Sequence, residues 1–146
     1  METTVLKFKK LDTLASIPQR AHPTDSGMDI RSVEAHTLGH LERHTFSTGL
    51  AAIIPEGYEL QVRPRSGLAS KGIVAMFGTV DEGYRGEISI TLVNLGNDTH
   101  TVSIGDKIAQ LVLAPVVRPE IEETDDVRPS ETDRGIDGFG STGVGA

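Results

Sequence analysis

At 146 residues the chain has room for one domain, which buries roughly 70% of the unfolded surface on folding. Cysteine is absent, which excludes a disulfide framework, a thiolate metal site and a cysteine nucleophile. The 14 Lys and Arg against 21 Asp and Glu leave a formal charge of −7, which argues against a nucleic-acid backbone as partner because that affinity comes from neutralised phosphates.

The opening Met1–Thr4 carries no apolar targeting core, and no apolar run approaches membrane-spanning length; a cytoplasmic location and no membrane partner are expected. In chain order, Val5–Leu11, Met28–Ser32, Thr45–Ile54, Tyr58–Arg63, Gly86–Asn94 and Asp106–Pro115 read as strands. Tyr58, Leu60 and Val62 alternate with polar neighbours, and so do Ile88, Ile90 and Leu92 against Ser89 and Thr91, the period-two pattern of a strand. Pro55–Gly57, Gly96–Asp98 and Gly105–Asp106 supply turn chemistry. One or two helical turns are expected over Ser66–Lys71. The fold class is therefore all-β, a sandwich or barrel spanning residues 1–117. His36, His40 and His44 share a spacing of four that would align them on a helix, but Thr37, Gly39 and Thr45 point to strand or loop there, so a histidine metal site is not expected. No GxxxxGK[ST] run and no GxSxG elbow is present.

Residues 118–133 are rich in Asp and Glu, include Pro119 and Pro129, and are poor in apolar side chains; an extended, solvated linker is expected. It spans at most about 55 Å, enough to reach a neighbouring subunit. The following 134–146 hold too much glycine for a core, yet set Arg134, Phe139, Ser141 and Thr142 among those glycines. A binding arm that orders on a ligand fits this composition better than an inert tail.

Three constellations suit chemistry on a small phosphorylated ligand. In Pro64–Ala69, Ser66 and Gly67 would let backbone N–H groups converge beside the forked charge of Arg65; the plainer alternative makes Ser66 a helix N-cap. In Gly78–Glu87, Asp81 would close a strand and act as a base, and Tyr84 would project from a hairpin turn whose far strand starts at Gly86; the plainer alternative is a turn-forming Asp and a surface Tyr. In the tail, Phe139 between two glycines offers a ring to a flat base while amides and Ser141 or Thr142 hold phosphate.

Taken together, Ala21–Ile30, Pro64–Ala69, Gly78–Glu87, Gly105–Leu111 and Arg134–Gly143 resemble, in order, the five motifs of the trimeric dUTPase family. The resemblance implies a jelly-roll-like subunit of a homotrimer with active sites shared between subunits. It implies hydrolysis of dUTP to dUMP and pyrophosphate, which limits uracil incorporation into DNA and supplies dUMP. By the same resemblance Asp81 activates the attacking water, and Arg65, Ser66, Gly67 and Gln110 hold the phosphate chain. The backbone of Gly78, Thr79 and Val80 reads uracil, and Tyr84 packs under the sugar. Arg134, Gly140, Ser141 and Thr142 close on the γ end, while Phe139 stacks on the base. Mg²⁺ is implied as cofactor, held mainly by the triphosphate, with Asp29 touching it through water.

The chain departs from the family pattern at Ala75, about where many members have asparagine, and at Asp137, where glycine is common. Alternatives are a dCTP deaminase of the same fold, which generally lacks the glycine-rich tail, and a non-catalytic trimer that senses dUTP.

Overall fold

The computed structural model describes residues 3–145. Among these, eleven strands account for nearly all regular structure: β1 (Lys7–Lys10), β2 (Met28–Arg31), β3 (His36–Leu38), β4 (Arg43–Ser47), β5 (Leu50–Ile53), β6 (Tyr58–Arg63), β7 (Ile73–Ala75), β8 (Gly78–Val80), β9 (Ser89–Asn94), β10 (His100–Val102) and β11 (Lys107–Pro115). One short helix, α1 (Ser66–Ala69), follows β6, and a 3₁₀ turn covers Pro129–Glu131.

The strands form a jelly-roll-like arrangement of small antiparallel sheets. A four-stranded sheet has the order β2-β11-β6-β8 and a three-stranded sheet the order β4-β9-β7, with the ribbons β1-β5 and β10-β3 beside them. Both larger sheets send alternate side chains into one core: Leu60 and Val62 from β6, Ile90 and Leu92 from β9, Leu111 from β11 and Phe46 from β4. Each such side chain is worth about 1.5–3 kcal/mol when fully buried. With one aromatic among these, the core rests on branched aliphatics. Asn94 continues the inward row of β9 but is fully satisfied, donating to the carbonyls of Leu38 and Asp98 and accepting from Gly96 N–H.

Three expectations are corrected. The strand expected over Thr45–Ile54 is two strands in different sheets, β4 on β9 and β5 on β1. The break falls at Gly49, whose φ is +67° and whose added Cβ would lie 2.8 Å from Asp12 Cβ. Short strands β7 and β10 fall in segments that carried no strand expectation. The hairpin expected around Asp81 has its turn but not its ladder. Strand β8 pairs with β6, Val80 opposite Leu60, while β9 pairs with β4 and β7. The chain between Val80 and Ser89 therefore crosses from one sheet to the other, anchored by buried Val80 and Ile88 and, apart from half-buried Glu82 and Glu87, exposed between them. The three histidines lie on β3, in a turn and on β4, as their neighbours indicated.

Candidate active site

Strand β11 brings the first cluster together. Gln110 sits opposite Asp29 of β2 on one side and Arg63 of β6 on the other. Its side-chain amide donates to the Pro64 carbonyl at 2.9 Å, which pins the chain where β6 gives way to α1. This pose requires glycine at 27, since a Cβ there would lie 1.9 Å from Gln110 Oε1. One residue past Pro64, Arg65 Nε donates to Asp29 Oδ1 at 3.1 Å, and Lys107 Nζ lies 3.4 Å from Asp29 Oδ2. Asp29 thus orients two cations.

Helix α1 is capped by Arg65, with no side-chain cap bond. The reading of Ser66 as an N-cap is therefore overturned: Ser66 is the first helical residue. Its N–H and that of Gly67 fall in the first turn, where helix geometry provides no acceptor, and both residues are exposed. Beside them a cavity of about 350 Å³ is bordered by Arg31, Arg65 and Lys107. Arg31, Arg65 and Lys107 against the carboxylates of Asp29 and Asp106 leave a small local excess of positive charge on a chain of net negative charge, which suits a polyanion.

The second cluster lies on β8. This is the edge strand of its sheet, so alternate backbone N–H and C=O groups of Gly78–Val80 have no ladder partner on the open side. A groove of about 330 Å³ runs along it, lined by Gly78, Thr79, Val80, Asp81 and Tyr84. Asp81 follows directly and is exposed. It opens the turn through its main-chain carbonyl, which accepts Tyr84 N–H at 3.0 Å, so the turn leaves the carboxylate free of backbone duty. Next to it, Glu82 Oε1 accepts from Gly57 N–H at 2.7 Å and from Arg118 at 3.3 Å. The Gly57 bond first, then the Arg118 charge, hold the Glu82 carboxyl below its ordinary value. The Tyr84 hydroxyl donates to the Glu87 carbonyl at 2.8 Å.

The two clusters border separate cavities in one chain. The tail joins neither. Residues 118–145 are exposed, and Arg134 Nε donates to the nearby Asp137 carbonyl. Phe139 stands fully exposed at φ +29°. Gly140, Ser141 and Thr142 lie in the same exposed run, with Ser141 N–H bonded back to Gly138. Sequence reasoning assigned no role to Gly27, Glu82, Glu87 or Arg118, whose partners lie far away along the chain.

Among the described residues no group of three or more His, Asp or Glu is arranged to hold a metal ion. This donor set fits a cation carried by a ligand's own phosphates, with Asp29 offering at most an outer contact. Among the described residues no helix is long and apolar enough to cross a membrane.

The sequence pattern of the dUTPase family matches residues 13–143. A deoxyuridine 5'-triphosphate nucleotidohydrolase of Gloeothece citriformis is 46% identical over 142 residues, covering 95% of this chain and 97% of that one. Its counterpart from Clostridium novyi is 49% identical over 142 residues, covering 95% and 99%. Among solved structures, the Staphylococcus bacteriophage 80alpha dUTPase with dUpNHpp superposes with a TM-score of 0.90 at 33% identity, covering 97% of this chain and all of that one. A mutant dUTPase from phage phi11 of S. aureus, described with a structural Mg(II) ion, gives 0.80 at 31% identity, covering 84% and 98%.

Proposed function

The chain belongs to the dUTPase family, and from that premise we propose that it hydrolyses dUTP to dUMP and pyrophosphate with Asp81 as general base. The observation that carries this reading is the edge strand β8 ending in an exposed carboxylate. Its free backbone groups suit the alternating donors and acceptors of a uracil edge, and the side chain that follows them suits proton removal from a water.

The uracil edge would meet the backbone of Gly78–Val80, where cytosine's amino group would face another donor and leave buried polar groups unpaired; mismatches of that kind reject by about 10⁴. A base held tightly against this strand, which Val62 of β6 backs, would leave no room for a thymine methyl. Tyr84 lies where the sugar would follow and excludes a 2′-hydroxyl. Asp81 takes a proton from the attacking water as the water's oxygen forms a bond to the α-phosphorus. The bond from that phosphorus to the bridging oxygen breaks in line, and pyrophosphate leaves with the electron pair. Positioning and charge neutralisation supply most of the acceleration in such transfers. Arg65, Ser66, Gly67 and Gln110 hold the phosphate chain, with Arg65 already oriented by Asp29. When bound with the triphosphate, Mg²⁺ would offset its charge, with Asp29 as the outer-sphere contact.

A homotrimer with shared sites accounts for the separation of the two clusters and the distance of the tail from both. It also accounts for large apolar side chains left open on one subunit, such as Met76, Phe77, Leu95 and Ile104. The arm, residues 134–146, would close over a site of another subunit, with Arg134, Gly140, Ser141 and Thr142 on the γ-phosphate and Phe139 on the base. The cytoplasm, where nucleotides are handled, is the proposed location.

The test is pyrophosphate release from dUTP, dCTP, dTTP and UTP, each with Mg²⁺ and with EDTA. Release from dUTP alone, lost with EDTA, is the expected result. Ammonia release from dCTP would instead identify a deaminase, and tight dUTP binding without turnover a sensor.

A further inference from the structure

The Tyr84 ring is held by a support that reaches back to the β4–β5 turn. Its hydroxyl donates to the Glu87 carbonyl at 2.8 Å. The ring folds over Gly86, where an added Cβ would lie 2.5 Å from the phenolic oxygen and 2.7 Å from Cζ. Glu87 is itself fixed at its other end. Ser47 Oγ donates to one carboxylate oxygen at 3.2 Å and Gly49 N–H to the other at 3.1 Å. The next residue repeats the link, with the Thr48 hydroxyl donating to the Ile88 carbonyl and Ile88 N–H to the Leu50 carbonyl. The β4–β5 turn cannot slide, because Gly49 is buried at positive φ against Asp12 and Ala15. The rigid core thus grips the Glu87 carboxylate, and the Glu87 backbone grips the tyrosine.

We propose that Glu87 is a positioning residue for sugar selection: its carboxylate fastens the Tyr84 support to the β4–β5 turn and so sets the clearance at the 2′ position of the nucleotide. This rests on the dUTPase reading of the site. Bonds to an ionised carboxylate are stronger than neutral ones and hold their geometry better. Losing both lets the Gly86–Glu87 backbone, and the ring on it, withdraw by the fraction of an ångström that a hydroxyl needs. The base slot is spared, because Gly78–Val80 take their register from β6.

The experiment measures kcat and KM for dUTP, UTP and dCTP with the full-length enzyme and the variants Glu87→Ala, Glu87→Gln and Tyr84→Phe. Glu87→Ala is expected to lower the preference for dUTP over UTP about tenfold while leaving the preference for dUTP over dCTP unchanged. Glu87→Gln retains an acceptor for Gly49 N–H, and the Ser47 hydroxyl can turn to accept from its amide, so about half of the logarithmic loss is restored. Tyr84→Phe, which cuts the same support at its other end, relaxes sugar selection in the same direction. If Glu87→Ala does not fold, Glu87→Gln and Tyr84→Phe carry the test. A common fall in turnover of all three nucleotides, or an unaltered dUTP to UTP ratio, overturns the proposal. A wild-type enzyme that does not turn over dUTP removes the reading beneath it, an outcome distinct from intact selection that survives loss of Glu87.

Discussion

Arg118, where the acidic linker begins, pairs at 3.3 Å with Glu82, the residue beside Asp81. The root of the tail is thereby tied to the turn that presents the proposed base. The same Glu82 oxygen accepts Gly57 N–H, so one carboxylate links the start of β6, the Asp81 turn and the exit of the linker. That bond and the Arg118 charge hold the Glu82 carboxyl below its ordinary 4.5. A depressed carboxyl pKa means the tie contributes fully above the unfolded value and is lost as the pH falls through the folded one. In an NMR pH titration the Gly57 amide resonance is expected to shift with a midpoint below 4.5, and Glu82→Gln is expected to abolish that shift. A midpoint at or above the ordinary carboxylate value would refute the linkage.

Asp81→Asn keeps the size of the side chain and the backbone turn to Tyr84 N–H, while removing the capacity to take a proton. Turnover of dUTP is expected to fall by about 10²–10⁴-fold, the usual contribution of a positioned base. Nucleotide affinity and the assembly state measured by sedimentation are expected to be unchanged. Near-normal turnover in this variant would remove Asp81 from the mechanism.

What the sequence reveals and what it conceals follow the range of the interactions. Strands β6 and β9 were legible because their alternation is local and each buries one face. The break between β4 and β5 was hidden, since the demand for glycine at 49 comes from Asp12, far off along the chain. The turn at Asp81 was readable from its own residues, but the partner of β8 was not. Pairing with β6 rather than β9 is decided by which register buries Val80 beside Leu60. Within the site, the Arg65–Gly67 turn stood out locally. The carboxylate that orients Arg65 and the amide that pins Pro64 arrive from β2 and β11. Glu87 looked like the end of a motif, because nothing near it in sequence points to Ser47 and Gly49.

Gly27→Ala tests whether the pose of Gln110 matters to phosphate binding. The added methyl would overlap Gln110 Oε1, the end of a flexible side chain, with Gln110 Cβ at 3.1 Å. Gln110 is expected to swing aside rather than force the strands apart, surrendering its bond to the Pro64 carbonyl. One such bond corresponds to a factor of about 3–10. KM for dUTP is therefore expected to rise by about that factor with little change in melting temperature. A large loss of melting temperature with KM preserved would make Gly27 a packing residue alone.

The proposed sharing of the site between subunits makes a quantitative prediction. One preparation carries Asp81→Asn with an intact arm, and a second lacks residues 134–146 but keeps Asp81. Each homotrimer is expected to be nearly inactive, for loss of the base in one case and of stacking and γ-phosphate contacts in the other. Base–aromatic stacking alone is worth about 1–3 kcal/mol. Unfolding and refolding an equimolar mixture redistributes the chains at random. If base and arm come from different chains around a threefold axis, every mixed trimer contains one site with both. The mixture then recovers about one quarter of wild-type activity. If a chain's arm closes over its own Asp81, no mixed trimer contains a competent site and activity stays at the level of the parents. Linker length permits either arrangement, so the recovered fraction decides between them.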